Sequence, residues 1–165
     1  MSFLLDVTDW RVLQDRFKAY EKYLRSVEGR MADGAFAFAI APWHYDASDP
    51  RCPHDAWVEA VTIAEPATGD RHDHRHTDIF VRLLGAYHDG RIELTYRDVR
   101  SYSLAGQTEN GHGDWLRDEV RLSEKGLVLH EVSFASGSRW LIECADIQFE
   151  WIPLDSGDEP SAATA

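Results

Sequence analysis

The hydrophobic period of this chain changes once, at Gly34, and that change limits what it can fold into. Before it, Trp10, Leu13, Phe17, Tyr20, Leu24 and Val27 recur at intervals of three and four, one stripe of a helix. The opposite face carries Arg11, Asp15, Lys18, Glu21, Lys22 and Arg25, with Glu21 four residues ahead of Arg25, the favourable order for an ion pair. Thr8 or Asp9 can cap the start and Gly29 can end it. After Gly34 apolar and polar residues alternate, the period of a strand with one buried face. Strands are expected near 35–41, 57–65, 78–88, 91–103, 116–123, 127–135, 139–144 and 147–152.

One helix followed by many strands reads as an α+β fold. The expectation is an N-terminal amphipathic helix packed on a large, mainly antiparallel, curled sheet of about eight strands, barrel-like or sandwich, because open twisted sheets leave unpaired edges. Asp89-Gly90 between two alternating runs signals a two-residue hairpin, and "SEKG" and "ASGS" mark two further tight turns. Parity places Val128, His130, Val132 and Phe134 on the core face, with Trp140, Ile142, Cys144, Ile147, Phe149 and Trp151. Glu119, Arg121, Glu131, Arg139, Glu143 and Glu150 fall on the other face, where they can pair across strands. Leu127, Leu129 and Leu141 share that side, so something is expected to cover part of it. His130 reads as a core histidine with a hydrogen-bond partner, since Glu131 points the opposite way.

At 165 residues the chain is sized for one domain. Residues 1–154 read as that domain, and "DSGDEPSAATA" at 155–165, without large apolar residues, as a disordered tail. Apolar residues at 44% and charged residues at 28% are ordinary for a packed protein. The formal net charge of −12 repels phosphate backbones, which disfavours direct nucleic-acid binding, and attracts basic partners. "MSFLLDVTDW" lacks the basic start of a signal peptide, and "AFAFAIA" is too short to cross a bilayer. With two cysteines, Cys52 and Cys144, the chain reads as a soluble protein of a reducing cytoplasm, with no membrane partner and its oligomeric state open.

Chemistry-bearing motifs are sparse. No G-x-S-x-G elbow, phosphate loop or dinucleotide fingerprint occurs, and neither cysteine has a recognisable histidine partner. The sharpest local cluster is "GDRHDHRHTD" at 69–78. In an extended segment His72, His74 and His76 would face one way and could share a transition metal, with Asp78 or His112 helping. "HRHTDI" departs from the H-x-H-x-D-H pattern at Ile79. A simple meander would bring His112 and Asp114 to the end of the sheet that carries this cluster, and gather His44, Cys52, His54 and His88 at the other.

The leading expectation is a non-enzymatic interaction module of inhibitor, immunity or regulatory type. It would bind a basic protein through Trp43, Tyr45, Asp46, Asp49, Asp114 and Trp115, in the loops 42–55 and 104–115. The alternatives are a transition-metal protein or metal-dependent enzyme using the histidine cluster, and a small-molecule carrier with a cavity lined by Trp140, Phe149 and Trp151.

Overall fold

The computed structural model describes residues 2–7, 9–106 and 109–154. The tail 155–165, Thr8 and the side chain of Trp10 lie outside the described residues. Helix α1 (Trp10–Val27) forms where its stripe placed it: the Asp9 carboxylate accepts from the Arg11 amide at 2.9 Å, and Gly29 turns the chain with φ +74°. Tyr20, Leu24 and Val27 are buried, and Arg25 reaches Glu21 at 2.7 Å on the exposed face.

The run expected as a first strand is helix α2 (Asp33–Ile40). Alternating Ala and Phe satisfies a period of two, but the buried residues are Ala35, Phe38 and Ala39, the i, i+3, i+4 spacing of a helix. Alanine is the strongest helix former, and Asp33 in the first turn suits the positive end of the dipole. Asp146 accepts from the Ala35 amide at 2.8 Å. Gly34 lets the helix lie against the last strand of the chain, since a Cβ there would stand 2.5 Å from the Ile147 carbonyl oxygen.

The strands are β1 (Trp57–Ala64), β2 (Ala67–Thr68), β3 (His74–Arg75), β4 (Asp78–Leu84), β5 (Gly90–Arg97), β6 (Ser101–Leu104), β7 (Glu109–His112), β8 (Trp115–Leu122), β9 (Val128–Phe134), β10 (Arg139–Cys144) and β11 (Asp146–Pro153). They form two antiparallel sheets of four, ordered β1-β4-β5-β11 and β6-β10-β9-β8, beside the small pair β2-β3. This is neither one curled sheet nor a closed barrel. The expected strand 91–103 breaks at Asp98 (φ +50°), and β5 and β6 join different sheets, which replaces the simple meander. The connection at 85–89 is also wider than a two-residue hairpin: the Gly85 amide pairs with the Gly90 carbonyl at 2.9 Å, and Leu84 faces Arg91. "SEKG" and "ASGS" do turn tightly, with Ser123 N to Leu127 O at 2.8 Å and Phe134 N to Ser138 O at 3.0 Å.

The core lies between the sheets. Ile79, Val81, Leu83, Ile92, Leu94, Tyr96 and Ile147 come from one, and Trp115, Val120, Val128, Val132, Phe134, Trp140 and Ile142 from the other. Helix α2 packs on both β11 and β8, closing one side. Trp140 meets Phe134 at 4.9 Å, Phe149 meets Trp43 at 4.2 Å, and Trp151 lies over Gly90. The three rings proposed to line a cavity are thus packing residues in contact with other side chains.

The edge strand β8 meets side chains where a neighbouring strand would be. The Val120 amide donates to the Tyr20 hydroxyl at 2.7 Å, that hydroxyl donates to the Val120 carbonyl at 2.9 Å, and the Leu122 amide donates to the Tyr23 hydroxyl at 2.7 Å. The expected cover on the charged face is the N-terminal segment. Glu119 is buried there, accepting from the Phe3 and Leu4 amides at 2.8 Å each. Arg121 bridges Glu119 and Glu131, and Arg139 reaches Asp6 at 2.6 Å. No described helix is long and apolar enough to cross a membrane.

Candidate functional site

Three connections meet at one end of the sandwich. Segment 41–56 descends through consecutive turns, His44 N to Ala41 O (3.0 Å), Asp49 N to Asp46 O (2.9 Å) and Cys52 N to Asp49 O (3.0 Å), as its prolines and aspartates favour. It is stitched to the start of β8 by Asp55 N to Trp115 O (2.9 Å) and Trp115 N to Ala56 O (3.0 Å), and His54 Nδ1 bonds the Leu116 carbonyl at 2.8 Å. The β4–β5 connection joins them through the Tyr87 hydroxyl, which donates to the Ala47 carbonyl at 2.8 Å.

Two large aromatic rings stand out of this end: Trp57 is 49% exposed and Tyr87 56%. Both are fixed. The Trp57 indole N–H donates to Asp114 at 2.7 Å, and its ring meets His88 edge-on at 4.7 Å. Asp46, Asp55 and Asp89 are exposed around them, with Asp49 and Asp114 half-buried. The Ser48 hydroxyl holds the Asp46 carboxyl below its ordinary range, and the Arg51 guanidinium holds that of Asp49 down to about 2, so both are anionic at neutral pH.

Of the residues expected to contact a partner, Asp46, Asp49 and Asp114 sit on this end. Trp43 is half-buried between Phe149 and the Arg51 guanidinium, 5.5 Å from its ring, and Tyr45 is half-buried along α1. Trp115 is a correction: it has 0% exposure and donates inward to Asp118 at 3.1 Å, so it has no surface to offer. Trp57 and Tyr87 were missed because one opens a strand and the other sits in a wide turn, where alternation assigns no face.

The histidine cluster lies at the far end of β1. His72 has φ +53° in a turn closed on Gly69, which breaks the extended geometry that would align three rings. His74 is exposed, 3.7 Å from Asp73, and His76 Nε2 is 3.8 Å from Asp78. Asp78 is engaged by Arg97 (2.9 Å) and the Asp98 amide (2.9 Å). His112 packs on Trp140 at 5.0 Å in a cleft it shares with Trp57 and Asp114, at the first residue of β1, whereas the cluster follows its last. Seven strand steps, about 24 Å, separate the two ends, correcting the expected approach of His112 and Asp114. Among the described residues no group of three or more His, Cys, Asp or Glu is placed to hold a metal ion.

Behind the aromatic end lies a sealed polar cluster. A bulge between Trp115 and Arg117 shifts the parity of β8, so Trp115 and Asp118 both point inward. Asp118 Oδ2 meets His44 Nε2 at 2.8 Å and His130 Nε2 at 2.9 Å, while Oδ1 accepts from the Trp115 indole. His44 Nδ1 lies 2.8 Å from the Phe38 carbonyl and His130 Nδ1 2.9 Å from the Tyr96 hydroxyl. Burial raises the Asp118 pKa, but the His44 charge and the two imidazole hydrogen bonds outweigh it and leave the carboxyl well below its usual range. Burial also pushes the Tyr96 hydroxyl far up, so it stays neutral, and lifts the Cys52 thiol to about 11. Both ring nitrogens of each histidine are engaged by protein partners.

No known protein family, curated protein or solved structure matches this chain.

Proposed function

We propose that the chain is a protein-interaction module, and that the end carrying Trp57 and Tyr87 binds a basic protein. The observation that supports it most is the combination of two immobilised, exposed aromatic rings with five surrounding carboxylates. Rings already held by Asp114 and Ala47 lose little freedom on binding, and aromatic anchors within a polar rim are the usual energetic centre of an interface. The acidic rim speeds encounter with a cationic surface and sets specificity. A cytoplasmic setting fits the two free thiols, Cys52 and Cys144.

The test is capture with the full chain as bait, followed by calorimetry on the recovered protein. A basic partner is expected, with binding that weakens as salt rises. Trp57→Ala and Tyr87→Ala should each cost about 2 kcal/mol, roughly thirtyfold in Kd. Phe80→Ala, an exposed ring on the outer face of β4, should leave affinity unchanged. Binding indifferent to both end substitutions would overturn the reading.

A further inference from the structure

The buried cluster contains one proton more than an ionised carboxylate and two neutral rings supply. The Phe38 carbonyl can only accept, so His44 Nδ1 carries hydrogen. The other nitrogen of that ring faces Asp118 Oδ2 at 2.8 Å, and two lone pairs would repel at that distance, so a proton lies there as well. His130 needs a single proton: Nε2–H donates to the same oxygen, and Nδ1 accepts from the neutral Tyr96 hydroxyl. The carboxyl already accepts from the Trp115 indole through Oδ1 and from His130 through Oδ2, bonds that favour its ionised form, so Asp118 accepts from His44 as well and the extra proton resides on His44. The set is an anion and a cation sealed together, His44 being 1% exposed.

His44 is also the residue that fixes segment 41–56. Its ring stacks on Tyr45 (4.2 Å between centroids, 6° between planes), and its carbonyl accepts from the Cys52 thiol at 3.1 Å. That segment supplies Asp46, Asp49 and Asp55 to the acidic end and the Ala47 carbonyl that holds Tyr87.

We propose that the His44 imidazolium, clamped between the Phe38 carbonyl and the Asp118 carboxylate, is a pH-sensitive latch that keeps the acidic segment 41–56 in its binding geometry. When the proton leaves, Nε2 turns from donor to acceptor toward Asp118, the buried carboxylate loses its counter-charge, and the segment loosens. The titratable and charged groups around the latch are Asp118 and Arg117 of β8, Tyr20 of α1, Tyr45, Cys52 and His54 of the segment, Tyr96 of β5 and His130 of β9. Burial pushes these tyrosines and the Cys52 thiol upward, so they stay uncharged through mild alkali. Arg117 donates to the Val7 carbonyl, and Glu119 on the opposite face of β8 has its own partner in Arg121. A link between the latch and affinity rests on the interaction reading above; the latch itself does not.

The test is imidazole nitrogen NMR on the full chain without partner. At neutral pH His44 should show two protonated nitrogens and His130 one, at Nε2. A His44 ring with a bare nitrogen in the folded protein overturns the proposal. Amide hydrogen exchange supplies the second readout: on raising the pH until His44 loses one N–H signal, amides of 41–56 should exchange about tenfold faster after correction for intrinsic rates, the scale of one lost charge-assisted bond, while β9 amides stay protected. Unchanged protection in 41–56 would also overturn it. Both measurements use the wild-type chain, so neither depends on a variant that folds. A partner that binds equally well across that pH range, with the latch signals as expected, would count against the interaction reading alone.

Discussion

Replacing Tyr20 by Phe removes one oxygen and leaves the ring that packs beside Phe3 and Tyr45. That oxygen is the only described partner of the Val120 amide and carbonyl on the outer edge of β8, and Tyr20 is 1% exposed, so water cannot take its place. A buried unpaired backbone group costs about 1–3 kcal/mol. Two such groups, one an obligate donor, set the expected loss at about 2–6 kcal/mol. For a domain of this size that is roughly 4–24 °C in Tm. Tyr23→Phe is the internal comparison. It frees only the Leu122 amide, at a half-buried position that solvent can reach, and should cost about 1 kcal/mol or less. Urea unfolding followed by tryptophan fluorescence measures both, with the denaturant slope unchanged if the folded state is intact. The Tyr20 variant should also aggregate on refolding, because an uncovered strand edge is a template for pairing. Equal losses for the two variants, or less than about 0.5 kcal/mol for Tyr20→Phe, would refute the idea that tyrosine hydroxyls complete this edge.

Gly34→Ala should cost about 1–3 kcal/mol, because the new Cβ would sit 2.5 Å from a backbone oxygen that can yield only if α2 moves off β11. Gly29→Ala, at φ +74° with open space around it, should cost about 1 kcal/mol from conformation alone, and thermal unfolding separates the two if the first also loosens α2 by hydrogen exchange. Asp78 is held below the usual carboxylate range, since bonds from the Asp98 amide and Arg97 outweigh the upward push of burial. A depressed folded-state pKa stabilises above the unfolded value of about 3.9 and is lost as pH falls below it. Asp118 is depressed in the same direction, so stability should drop on acidification below about pH 4, and Asp78→Asn should flatten that drop. An identical acid profile for the variant would contradict this.

The helix over 10–27 and most strands were legible because long periodic runs leave little choice of element. Segment 35–41 was not, since seven residues of Ala, Phe and Ile match both periods; only the tertiary contact with Asp146 and the close approach at Gly34 decide it. The crossing from β5 to β6 was hidden for a related reason. Alternation runs almost unbroken through 91–103, and the chain leaves one sheet for the other at Asp98, where a positive φ turns it. With that crossing unseen, the loop 104–115 was assigned to the wrong end, and His112 with it.

The buried cluster was partly written in the chain. Counting by twos from Val120 puts Asp118 on the core face opposite the strand that carries His130, and a carboxylate beside a core histidine needs a compensating charge. What parity cannot supply is where that charge originates, because His44 comes from an irregular segment some seventy residues away. Nor can it place Trp115, whose inward turn depends on the bulge at Leu116. An unbulged strand would point Trp115 outward with Arg117 and leave Asp118 Oδ1 without its indole donor. The extra residue therefore does two things at once: it fills the core with an aromatic ring, and it completes the hydrogen bonding of the Asp118 carboxylate between the two sheets. A Trp115 analogue with sulfur in place of the indole N–H separates these effects, since it keeps both fused rings. If the N–H matters, that variant should lose about 1–3 kcal/mol, and filling the space alone would leave stability nearly unchanged.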